Sequence, residues 1–182
     1  MVGGVEVPVE LDLLVGEKMA GRGRRSADIA PHARMTARRV EGLEPSVVDR
    51  SPMTISALKG APRSVRVNVA GPAALLVAKA HKIHDRLVAA GQDRLTDKDA
   101  GDVYRLMVGG KRSEVVASFG SLLADPLVGE VTSIGLEYLR EQFGRAEAPG
   151  VGMAVDALAG DIPADRIRGV APAYIRALDR LA

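Results

Sequence analysis

The chain reads as an α+β protein, a small mixed sheet followed by a helical half. Three observations predict this. Residues 5–15, VEVPVELDLLV, have an apolar residue at every odd position and, up to Asp12, none but Pro8 between them, the alternation of a half-buried strand. The stretch SVRVNVAGP at 64–72 repeats it, with Val65, Val67 and Val69 separated by Arg66 and Asn68. From Gly71 onward the period changes, and apolar residues recur three and four apart.

In the first strand Val5, Val7, Val9, Leu11, Leu13 and Val15 take one face. Glu6, Glu10 and Asp12 take the other, with Pro8 between them. Like charges on one face of a strand repel, so that face is either wet or turned toward something cationic. Residues 16–40 are rich in Gly and Arg and read as loop, with a short strand or helix near 34–40. SVVDRSPMTISAL at 46–58 reads as a strand that Pro52 confines to an edge or breaks. The helix at 71–90 has Pro72 at its first position and Gly91 as its stop. Further helices follow at 96–110, 112–125 and 126–144, the last with Leu127, Val131, Ile134 and Tyr138 as its apolar stripe. GRAEAPGVG at 144–152 looks like a linker, and the tail 162–182 looks like one or two helices broken near Pro172. The division expected is a sheet domain at 1–92, which includes the helix carrying Lys79, and a helical region at 93–182.

With 182 residues and 47% hydrophobic composition, the chain has the material for one domain and a real core. Its formal charge of +2 does not by itself point to nucleic acid, although the sequence pI is about 9.1. The absence of cysteine excludes disulfides and thiolate metal sites. No apolar run reaches the roughly 20 residues of a membrane helix, and no secretory leader pattern is present. The expected setting is the cytoplasm, without membrane association. Aromatic content of 3% with no Trp leaves little for stacking on bases.

The helix at 71–90 holds the densest chemistry. Leu76, Ala80, Ile83 and Leu87 form its core stripe, and Lys79, Lys82 and Arg86, at i, i+3 and i+7, run along one edge of it. Lys79 lies nearest the apolar stripe, so its ammonium emerges at the seam between core and solvent. A lysine there suits a phosphate as a point charge, while the bland alternative is a solvated face of long side chains. His81 and His84 share the helix, but with no HExxH pattern or third ligand they read as ordinary histidines. Thr96 with Asp99 reads as a capping box with Asp in the usual Glu position. That explains Asp102 less well, since it lies further along on the face shared with Asp99. Arg22, Arg24, Arg25, Arg34, Arg38 and Arg39 fall within 18 residues, as a solvated loop would allow and an RNA backbone would use. Neither GGVEVP nor GRGRRS has the context of a phosphate loop.

Taken together, AGPAALLVAKAHKIHDRL and DRLTDKDAGDVYRLM resemble the second half of the AbiEii-type nucleotidyltransferase-like proteins, toxins of bacterial type IV toxin–antitoxin and phage-defence systems. Pro72, Leu75, Leu76, Lys79 and Arg86 match the first motif of that family, and Lys98, Asp99, Asp102 and Tyr104 the second; Lys82 stands where the family has Ala. The resemblance covers about residues 5 to 110. It implies a polymerase-beta-like nucleotidyltransferase fold in which carboxylates on the sheet hold Mg²⁺ on a triphosphate, the chemistry an in-line displacement needs. VELDLLV resembles the strand carrying the third carboxylate, which makes Asp12 a metal ligand, with Glu10 as the acid one residue removed from it.

The resemblance further implies nucleotide transfer from an NTP to an RNA or protein acceptor. Lys79 and Arg86 would contact phosphate, Lys82 and Asp102 would complete the substrate-binding set, and Asp99 would orient Lys79 or the acceptor. The family's Gly-Ser turn and first acid pair belong upstream of Asp12, where only eleven residues stand. The expectation is therefore a chain that begins inside the fold and leaves a sheet edge open, a template for pairing with a second copy. Two rival readings stand beside the enzyme. One is an inactive nucleotide- or RNA-binding relic of the same fold. The other is a protein-interaction component of a toxin–antitoxin system, paired with a cognate antitoxin.

Overall fold

The computed structural model describes residues 12–21, 26–27, 31, 37–58, 62–89 and 97–181. The chain is α+β, and by its contacts it divides into two compact units, 1–40 and 41–182.

In the first unit β1 (Leu14–Gly16) pairs in parallel with β2 (Arg38–Val40), with Leu14 opposite Arg38. Ala20, Ala27 and Ala37 form its small core, against which Val15 packs. The described part of the opening strand is thus three residues, and Glu6 and Glu10 lie outside the described residues. Its alternation is weaker than expected: Val15 is half-buried, but Leu13 is 48% exposed. The short strand expected near 34–40 is β2. Of the arginine run, Arg39 is committed internally: its guanidinium donates to both carboxylate oxygens of Glu17, at 3.1 and 2.8 Å, and to the Gly21 carbonyl at 2.9 Å. Arg22, Arg24, Arg25 and Arg34 lie outside the described residues.

The second unit opens with a 3₁₀ turn, Glu44–Val47, then an antiparallel ribbon of β3 (Arg50–Ser56) and β4 (Ser64–Ala70). The strand expected from residue 46 therefore starts at Arg50, because Pro45 sets φ for the turn before it. Pro52 sits within β3 opposite Asn68. Both strands of a two-stranded ribbon are edges, so the missing N–H is tolerated there.

Six helices follow among the described residues: α1 (Pro72–Val88), α2 (Lys98–Gly109), α3 (Arg112–Ala124), α4 (Gly129–Phe143), α5 (Pro149–Ala157) and α6 (Ala164–Leu178). One core joins them. α1 packs chiefly on α4 and α2, and α5 lies against α2. Leu76, Ile83, Tyr104, Phe119, Leu139, Phe143 and Ile175 are among its fully buried side chains. The Lys79 helix thus shares its core with the helices that follow it.

Local chemistry explains the boundaries. Asp49 accepts a hydrogen bond from the Ala74 N–H at 2.9 Å and so satisfies a donor at the start of α1. A Cβ on Gly71 would overlap that carboxylate, which fixes glycine at this position. Burial along the α1 stripe ends with Ile83; Leu87, expected inside, is 40% exposed in the last turn. On α4 the buried side is Val131, Gly135, Leu136, Leu139 and Phe143, with Ile134 and Tyr138 at its margin. α6 continues through Pro172, where a break was expected. Proline removes one helix hydrogen bond, but Ile167, Ala171, Tyr174, Ile175 and Leu178 bury a stripe on both sides of it. The supposed linker is shorter than expected: 144–148 are non-helical, and α5 starts within it, with Pro149 at its first position and Gly150 close against the Phe143 ring.

Candidate functional site

Two turns of α1 and the first turns of α2 face each other across a charge cluster. Helical spacing places Lys79, Lys82 and Arg86 on one edge of α1 and Asp99 and Asp102 together on α2. The Lys79 ammonium donates to Asp99 Oδ1 at 2.6 Å and to Asp102 Oδ2 at 2.9 Å. Lys82 Nζ lies 2.9 Å from Asp99 Oδ2, and Arg86 Nη1 donates to the same oxygen at 2.6 Å. Arg105, one turn beyond Asp102 on α2, donates to its Oδ1 at 3.2 Å.

Asp99 is the hub, 3% exposed, with three cations on one carboxylate. The capping box expected at this helix start assigned Asp99 to its own backbone. Its carboxylate turns to α1 instead, because three cations outweigh one backbone N–H as partners. Thr96 lies outside the described residues.

Electrostatics fix the protonation states. Burial disfavours the Lys79 ammonium, but its hydrogen bonds to Asp99 and Asp102 outweigh that and hold its pKa above the ordinary 10.5. Burial likewise works against the Asp99 carboxylate, and the hydrogen bonds from Lys79 and Lys82 overcome it, so its pKa lies below 3.8. For Asp102 the hydrogen bond from Lys79 is the largest influence, and its pKa is also lowered. All three groups are charged at neutral pH. They are suited to holding and positioning charge rather than to passing protons.

A cleft of about 400 Å³ opens beside the cluster, lined by Pro72, Leu75, Lys79, Asp102, Arg105, Leu106, Gly109 and Gly110. Its walls are apolar, and Lys79, Asp102 and Arg105 make its polar edge. Of the ammonium's three protons, two are engaged by the aspartates, leaving one donor for a ligand oxygen. Asp99, Lys82 and Arg86 are not among the lining residues and act on the cleft through Lys79 and Asp102. Arg105 and Leu106 were not anticipated. The available signal was the i, i+3 step from Asp102 to Arg105, an ion-pair spacing with no meaning until Asp102 is placed at a cleft.

The two histidines of α1 serve packing. His81 is buried, and its Nε2 lies 3.0 Å from the Val131 carbonyl, so that nitrogen carries the proton. His84 stacks on Tyr138 with ring centroids 3.6 Å apart and planes 11° from parallel.

Asp12 is an exposed residue of the 1–40 unit, and Glu10 lies outside the described residues. Among the described residues, no group of three or more His, Asp or Glu side chains is arranged to hold a metal ion. The acids beside the cleft do not fit one either. Asp99 and Asp102 already face five ion-pair contacts from lysine and arginine, whereas Mg²⁺ takes carboxylates whose charge is still available. Among the described residues, no helix is long and apolar enough to cross a membrane.

Comparison with protein-family models, with curated proteins and with solved structures finds no match to this chain.

Proposed function

We propose that the α1–α2 cleft binds the phosphates of a nucleotide, and that the chain is a nucleotidyltransferase-like protein of the AbiEii toxin kind, which transfers a nucleotide from an NTP to an RNA or protein acceptor. One observation carries the reading. Four of the polar residues on which the resemblance rests, Lys79 and Arg86 in one motif and Asp99 and Asp102 in the other, meet in a single charge cluster at a cleft edge. Spacing along the chain does not require that meeting.

Lys79 acts here as a fixed positive charge. Its raised pKa removes it as a general base near neutral pH, and Asp99 and Asp102 hold it at the cleft edge. Arg105, about half exposed, adds a second cation at the mouth. An NTP enters with its phosphates toward Lys79 and Arg105 and its less polar part against Pro72, Leu75 and Leu106.

A second reading, nucleotide or RNA binding without turnover, is favoured by the same pKa pattern. Lys79, Asp99 and Asp102 are all driven deeper into their charged forms, while acid–base catalysis wants a group poised near the working pH. Calorimetric titration with each NTP in the presence of Mg²⁺, followed by transfer of label from a radioactive NTP to RNA and protein acceptors, separates the readings. Binding with transfer supports the enzyme, and binding alone supports the relic. The absence of NTP binding refutes both and leaves the antitoxin-partner reading.

A further inference from the structure

The β3–β4 ribbon has an uneven charge. From Arg50 to Gly71 the sequence holds four cations, Arg50, Lys59, Arg63 and Arg66, and no acid, although the whole chain carries 25 cationic and 23 acidic side chains. The register sets Arg66 opposite Thr54, Asn68 opposite Pro52 and Ser64 opposite Ser56, with Arg50 at the end of the same row. Since side chains alternate between the faces of a strand, these residues share one face, while Met53, Ile55, Val65 and Val67 share the other. Arg50, Thr54, Arg66 and Asn68 are all exposed. Neither Arg50 nor Arg66 forms an ion pair among the described residues.

This is a rod of two seven-residue strands, about 23 Å long at 3.3 Å per residue, with a cationic, hydrogen-bonding face. Its charge fits a polyanion. It has no aromatic side chain on which single-stranded bases could stack. The major groove of B-form DNA, about 12 Å wide, admits a two-stranded ribbon, whereas that of an A-form RNA duplex is too narrow for side chains to read. A lipid surface would take the opposite, apolar face and leave Arg50 and Arg66 pointing away from it. We propose that the polar face of the β3–β4 ribbon is a docking surface for duplex DNA. Arg66, Asn68 and Thr54 face the base edges in the major groove, and Arg50 meets a flanking phosphate. The inference stands on the ribbon alone and does not rest on the nucleotide reading of the α1–α2 cleft.

The test is fluorescence anisotropy of a labelled, mixed-sequence DNA duplex titrated with the full chain over a salt series. The wild-type chain should bind, with affinity falling steeply as salt rises. Arg50→Ala combined with Arg66→Ala should weaken binding about tenfold or more, and loss of the Arg50 phosphate contact should flatten the salt dependence by about one power of salt concentration. The paired Arg→Lys substitutions should keep the salt dependence. Should circular dichroism show the double alanine variant misfolded, Arg66→Gln alone serves in its place. Lys79→Ala should leave DNA affinity unchanged, which separates failure of this inference from failure of the nucleotide site. Wild-type affinity in the alanine variant overturns the proposal. So does tighter binding to an RNA duplex of the same sequence, or to phosphatidylserine vesicles.

Discussion

Replacing Asp99 with Asn keeps the shape of the side chain and removes the charge at the centre of the cluster. Three cations then lose their shared partner: Lys79 keeps Asp102, while Lys82 and Arg86 lose the Asp99 contacts that hold them. Breaking a fully buried ion pair by deleting one member costs about 3–5 kcal/mol, and an exposed pair contributes about 0–1. Asp99 belongs to the first class, with its side chain 5% exposed. Its partners fall between the classes, at 25% for Lys79, 27% for Arg86 and 46% for Lys82. Water therefore screens much of the loss, and the expected cost is about 2–3 kcal/mol.

Equilibrium urea unfolding at neutral pH measures this cost, and the same experiment in acid checks its origin. The folded-state pKa of Asp99 lies below its ordinary 3.8. Its stabilisation is accordingly complete above that value and is lost as pH falls through the lower folded-state pKa. The difference between wild type and variant should shrink in strong acid. A cost below about 0.5 kcal/mol, the level of an ordinary surface substitution, would refute the hub role, and a cost unchanged by acid would show that it is not electrostatic.

Lys79→Ala should weaken NTP binding by about 1–3 kcal/mol, the range for a charge-assisted hydrogen bond, while Lys82→Ala, outside the cleft lining, should do much less; calorimetric titration compares them. Gly109→Ala should stabilise the protein by about 0.4–1 kcal/mol, because a Cβ there meets nothing within 4 Å and alanine has less freedom to lose from the unfolded chain; an unchanged or lower melting temperature would count against the described end of α2. Gly42→Ala should destabilise by about 2–3 kcal/mol, since φ is +89° and the new Cβ would stand 2.8 Å from the buried His81 ring; thermal unfolding reads the loss.

Local patterning by itself determined much of this protein. The period-2 alternation at 64–69 and the helical spacing after Gly71 are properties of neighbouring residues, and they mark β4 and the helices without knowledge of the rest of the chain. Pro72 and the Lys79, Lys82, Arg86 stripe are legible for the same reason, since both depend on no more than two turns of helix. Propensity misled where packing outweighed it. Pro172 costs α6 one hydrogen bond, yet the buried stripe around it keeps the helix whole, and the glycines at 150 and 152 concealed α5, whose Val151 and Ala154 become core only against the helices it meets. The candidate site lies at the limit of what local pattern can say. The sequence places cations on one helix and aspartates on the next, but whether they meet depends on how α1 and α2 pack. That packing is set by Leu76, Ile83, Val103 and Tyr104, buried residues that belong to no charge pattern. Only the tertiary structure makes Asp99 the hub of three cations and brings Arg105 to the cleft. An ion pair between residues 13 to 23 positions apart is decided by the apolar contacts that hold their helices together, not by the charges themselves.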